Sequence, residues 1–162
     1  MKHLFKKVSK KAVFIVVLSV FTISLSAQEN SEKAFETAKK EIIETYGSFP
    51  SWYAAFPEYA LPGAWQAAKE LEGPSSIDAK NKQLIGLAVA SQIPCEYCVY
   101  YHTAVLLAMG VTDEEIKDAI AQAASTRHWS TVIYGAQLDM DEFKKEFQEI
   151  MKYMSEKAAK AQ

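Results

Sequence analysis

No stretch of this chain carries a sustained alternating run of β-branched residues, so nothing in it reads as a strand. Alanine, leucine, glutamate and lysine fill the periodic segments, and these residues favour helix. "SEKAFETAKKEIIETYG" (31–47) reads as a helix with Ser31 as N-cap and Gly47 as its stop. Residues 48–65 are interrupted by Pro50, Pro57 and Pro62, which leaves room for one short turn before a helix over 63–73. After the turn "PSS" (74–76), the segment 77–93 places Leu84, Ile85, Ala88 and Val89 on one apolar face. Pro94 then suits the first turn of a helix running from about Cys95 to Met109, with Gly110 ending it. "TDEE" (112–115) is a capping box with Thr112 as N-cap and Glu115 at N3, opening a long helix that bends near Gly135. Asp139 with Glu142 marks the start of a last helix. The expected fold class is all-α, about six helices joined by short loops as an antiparallel helical bundle.

The amino terminus is set apart. "MKHLFKKVSKK" is basic, "AVFIVVLSVFTISL" is an apolar run of 14 residues, and "SLSAQEN" supplies small residues and a polar exit. The run is shorter than the ~20 residues a membrane span needs and matches a signal peptide. Residues 1–27 are therefore expected to be a signal peptide, cleaved near Ala27, and 28–162 a single exported helical domain, periplasmic or extracellular. Without the leader's five lysines, 13 basic residues face 20 acidic ones, a net charge of −7 with histidine neutral. That balance, with no basic cluster, argues against nucleic acid as a partner.

The chemistry concentrates in "IPCEYCVYYHT" (93–103), which holds both cysteines of the chain, Cys95 and Cys98, and one of its three histidines, His102. Helical spacing of i, i+3 and i+7 puts the three side chains on one face. Cys95 falls in a first turn, where free N–H groups and the helix dipole pull a thiol below its free pKa of roughly 8.5. His102 lies one turn beyond Cys98 and can exchange a proton with it. Residues three apart on a helix are also within disulfide range. The preceding segment is helical, which excludes the thioredoxin-like βαβ setting of such a pair. Two other readings stay open. One is a purely structural disulfide, though so short a loop constrains the unfolded chain little. The other is a zinc site from Cys95, Cys98, His102 and His128, though three ligands from one helix face fit a tetrahedron poorly. Tyr97, Tyr100 and Tyr101 read as packing and pocket wall.

"QLIGLAVASQIPCEYCVYYHTAVLLAMGVTDEEIKDAIAQAA" (83–124) resembles the carboxymuconolactone decarboxylase superfamily, in particular its alkylhydroperoxidase AhpD-like branch, and "RHWSTVIYGAQ" (127–137) looks like a subgroup of that branch. The resemblance implies an all-α fold of AhpD-like type that assembles as a homo-oligomer, trimer or hexamer. It also implies thiol peroxidase activity without a cofactor or metal. By that resemblance Cys98 attacks the hydroperoxide, Cys95 resolves the sulfenate to a disulfide, and His102 belongs to the proton relay, with an external thiol reductant restoring the pair. The sequence departs from the pattern at one place. The family has a glutamate twelve residues before the first cysteine, and here that residue is Gln83, which hydrogen-bonds but takes up no proton near neutral pH. Tyr101, Arg127 and His128 are further candidates for supporting the site.

The reading that follows is an exported, thiol-dependent hydroperoxidase with a redox-active C-x-x-C pair. The alternatives are a thiol–disulfide oxidoreductase acting on protein partners, and a non-catalytic helical module whose disulfide or metal is structural.

Overall fold

The structure, a computed structural model, describes residues 10–160, with side chains from residue 28 onward. Among these residues every regular element is an α-helix: α1 Lys10–Tyr46, α2 Ser51–Ala54, α3 Leu61–Glu72, α4 Ala79–Gln92, α5 Glu96–Ala108, α6 Asp113–Gly135 and α7 Met140–Lys160. The six long helices and the one short turn between prolines agree with the sequence reading.

Several boundaries differ from it. Ser31 does not cap a helix; it lies inside α1. Neither proline nor glycine occurs between residues 10 and 46, so nothing breaks the backbone ladder before Gly47. The expected leader lies outside the described residues over 1–9, and over 10–27 its backbone is continuous with α1. At α4 the cap is Asp78, whose carboxylate accepts the Asn81 N–H at 2.9 Å, rather than a serine of the preceding turn. α6 ends at Gly135 instead of bending there. Two N-caps are as expected. Thr112 and Glu115 form the reciprocal capping box, and Asp139 Oδ1 accepts from the N–H groups of Asp141 and Glu142.

The chain divides into two compact units, Met1–Ser75 and Ser76–Gln162. In the first, α1 packs on α3, and the buried residues are Ala38, Ile42, Tyr53, Leu61 and Trp65. The Trp65 indole N–H donates to Glu41 Oε2 at 2.7 Å, and the ring meets Tyr53 edge-on. Lys69 pairs with the same carboxylate.

In the second unit α4 packs against both α5 and α6. Its core is Leu87, Leu106, Val111 and Ile116, with Leu84 and Val99 against it. The buried line of α4 is Gln83, Leu87 and Ala90, spaced i, i+4, i+7. The expected face of Leu84, Ile85, Ala88 and Val89 is therefore only partly inward. Ile85 and Val89 are about half exposed, and these four residues border a groove shared with α6. Lys80 of α4 pairs with Glu115 of α6 and ties the two helix starts together. Gly110 (φ +77°) turns the chain between α5 and α6 in a conformation that suits glycine. The side chains of α7 are exposed along its length.

Candidate active site

Pro94 and the start of α5 place the first cysteine. Cys95 is the N-cap of α5, with extended backbone, and not a residue of the first helical turn. Its Sγ accepts the Cys98 N–H at 3.3 Å, taking the place that a serine or aspartate oxygen holds at other helix starts. The Cys95 N–H is itself engaged, donating to the Ala90 carbonyl at 3.3 Å. Cys95 and Cys98 are joined as a disulfide with their Cα atoms 5.3 Å apart, so neither thiol is free. Both residues are half-buried.

Two turns into α5, His102 faces α4. Its Nδ1 lies 2.7 Å from Gln83 Oε1. A carbonyl oxygen accepts only, so Nδ1–H is the donor. Gln83 is 4% exposed, a buried amide whose oxygen is spent on orienting the imidazole. The ring rests against Gly86, one turn beyond Gln83. A Cβ at that position would stand 2.6 Å from Nε2 and 2.8 Å from Nδ1. Only glycine leaves the ring room on that side. The Tyr101 ring meets His102 edge-on at 5.2 Å between centroids.

Beside Cys95 an open groove of about 760 Å³ runs along α5. Ala90, Pro94, Val99, Ala104 and Leu107 make its apolar wall, and Cys95 and Glu96 stand at one end. Arg127 borders a different groove, between α4 and α6. His128 is exposed and stacks edge-on with Trp129. The structure thus brings Cys95 with Cys98, Gln83 with His102, and His102 with Tyr101, while Arg127 and His128 do not line the cysteine groove. No group of three or more His, Cys, Asp or Glu side chains is gathered as a metal site among the described residues.

Gly86 was absent from the sequence-derived candidates. The available signal was a lone glycine inside a helical pattern, a position that costs about 1 kcal/mol against alanine and so calls for a packing reason. Of the groove wall, Tyr100 is where the sequence reading places a pocket residue, whereas its aliphatic members look like ordinary core.

The model of the carboxymuconolactone decarboxylase family matches residues 50–138. Among solved structures, the crystal structure of the alkylhydroperoxidase AhpD core from Rhodospirillum rubrum ATCC 11170 is similar in fold. Its TM-score is 0.58 at 23% sequence identity, over 72% of this chain and 89% of that one. No match was found among the curated proteins. With an all-α fold like that of AhpD and more than half its length covered by the family model, the chain belongs to the carboxymuconolactone decarboxylase family.

Proposed function

We propose that this protein is a thiol-dependent oxidoreductase that reduces hydroperoxides by cycling Cys95 and Cys98 between dithiol and disulfide. The observation that carries the reading is the pair itself. The two cysteines of the chain are bonded to each other at the mouth of α5, with an apolar groove on one side. A bond across two intervening residues adds little as a staple, so its value lies in opening and closing. His102, held through Nδ1–H by Gln83 and one turn beyond Cys98, supports a proton-transfer role. The resemblance in sequence assigns the attack to Cys98 and the resolving role to Cys95.

The family also holds decarboxylases, but the cysteine pair favours thiol chemistry here. The amino-terminal pattern supports export, with cleavage near Ala27, which would place the pair where a disulfide persists until an external thiol reductant opens it. The exposed apolar side chains of α7, among them Phe143, Phe147, Ile150 and Met154, support self-association, and the resemblance in sequence suggests a trimer or hexamer. The test is the stopped-flow rate of a hydroperoxide with the reduced protein, followed by intact mass. A rate far above that of free cysteine, with loss of two hydrogens, is the expected result. A rate equal to free cysteine overturns the peroxidase reading and leaves disulfide exchange with protein partners.

A further inference from the structure

We propose that α7 is a self-pairing helix, on which the α7 of a second copy of this chain docks antiparallel. This names the surface for the self-association proposed above and does not depend on the thiol chemistry. No residue of α7 is buried. Met140, Phe143, Phe147, Ile150 and Met154 recur at alternating steps of three and four, so they form one stripe along the helix, and they are 38 to 60% exposed. Within the stripe the Phe143 and Phe147 rings lie stacked, 6.4 Å between centroids. The opposite side, from Asp141 and Glu142 through Lys145 and Glu149 to Lys152 and Glu156, is polar. A narrow seam of this kind is what two paired helices share, whereas a helix packed on a globular core needs a wider apolar face. A helix lying on a membrane carries a basic polar face, and α7 instead balances five acidic residues with five basic ones.

Charge sets the direction. The first turn of α7 carries Asp141 and Glu142, and the last turn Lys157 and Lys160. Residues 140–149 hold four acidic and two basic side chains, and residues 150–160 hold three basic and one acidic. Parallel helices set like ends together. Antiparallel helices set the acidic end of each on the basic end of the other and oppose their dipoles. Reversal also gives an apolar register. About a two-fold axis between residues 148 and 149, Phe147 meets Ile150 of the second copy, and Phe143 meets Met154 of the second copy. Met140 meets the aliphatic stem of Lys157, whose ammonium comes near Asp141 of the facing helix. The end charges suit the dipole of a lone α7 too, but a lone helix has no use for the stripe. The contact is isologous, so it makes a dimer, or joins two trimers as a hexamer.

The experiment follows the protein by sedimentation velocity across the micromolar range, then cross-links a mixture of light and heavy-isotope protein with a carbodiimide, which joins carboxylates directly to amines. The expected result is even-numbered species that grow with concentration, with light-to-heavy bonds from Asp141 or Glu142 to Lys157 or Lys160. Within one straight helix those groups stand more than about 20 Å apart, beyond a direct bond. Lys157→Glu with Lys160→Glu makes both ends of α7 acidic, and Asp141→Lys with Glu142→Lys makes both basic; circular dichroism checks their helix content. Each variant alone is expected to associate about tenfold more weakly than wild type, and an equal mixture of the two to regain the wild-type species. Bonds between like ends, or bonds from α7 to α4 or α6 of the same chain, overturn the inference. An assembly that both variants leave unchanged overturns it while self-association stands. A monomer at every concentration removes both, and the peroxide assay decides the thiol reading separately.

Discussion

At the scale of single residues, the site sets a buried amide against its imidazole. Gln83 holds the His102 Nδ1–H but takes up no proton. Gln83→Glu keeps the acceptor and adds a charge that favours the imidazolium. The expected outcome is a higher His102 pKa by NMR titration and a faster thiol reaction below neutral pH; an unchanged pKa would show that the carboxylate does not reach the ring. Gly86→Ala tests the other wall of the imidazole. Helix propensity alone favours alanine by about 1 kcal/mol. The new Cβ falls on the ring, however, so a lower melting temperature is expected together with slower thiol chemistry. A rise in melting temperature would mean that the ring moves aside freely. The cysteines and the histidine were legible as candidates because their spacing sets them close together on and beside one helix. The role of Gly86 was not, because a missing side chain shows its purpose only when the neighbouring helix is in place.

At the scale of elements, a helix end was legible where a local capping pair writes it, and the buried faces were less so. The Thr112–Glu115 box is written in local residues and forms as read. The inward face of α4 depends on two neighbours at once, α5 and α6, and so it rotated away from the apolar quartet that periodicity alone selects. Ser31 failed as a cap for the opposite reason: a capping residue starts a helix only where the preceding residues cannot continue one. Glu115 also gives a pH prediction. Its hydrogen bond from Lys80, and then those from Thr112, hold its carboxyl down to about 2 from the usual 4.5. A carboxyl depressed in the folded state stabilises above its unfolded value, and the effect is lost as pH falls toward the folded one. The stability advantage of wild type over Glu115→Gln is therefore expected to be full above pH 4.5 and to shrink between there and pH 2. Chemical melts at pH 6, 4 and 2.5 check it, and a constant difference would deny the link. Glu41, held low by hydrogen bonds from Lys69 and Trp65, acts in the same sense in α1 and α3.

At the scale of the whole molecule, two buried clusters divide the work. Leu106 is fully buried in the second, and Leu106→Ala is expected to cost roughly 2–5 kcal/mol in denaturant melts. Phe147 in α7 is 54% exposed, so Phe147→Glu is expected to cost under about 0.5 kcal/mol of folding stability while shifting sedimentation toward smaller species. An unchanged sedimentation profile would remove that face from any self-association. The all-α class was readable from composition because helix formers fill every segment, whereas the division after Ser75 depends on which helices meet and leaves only a turn in the sequence. The aromatic cage of Trp65 has an optical consequence. Trp65 is buried against Tyr53 with its indole N–H held by Glu41, while Trp52 and Trp129 are each 59% exposed. The short-wavelength part of the tryptophan emission thus comes from the Met1–Ser75 unit alone, whereas helical ellipticity is summed over both units. Heated together, the two signals show whether the halves melt as one, without any dye or label.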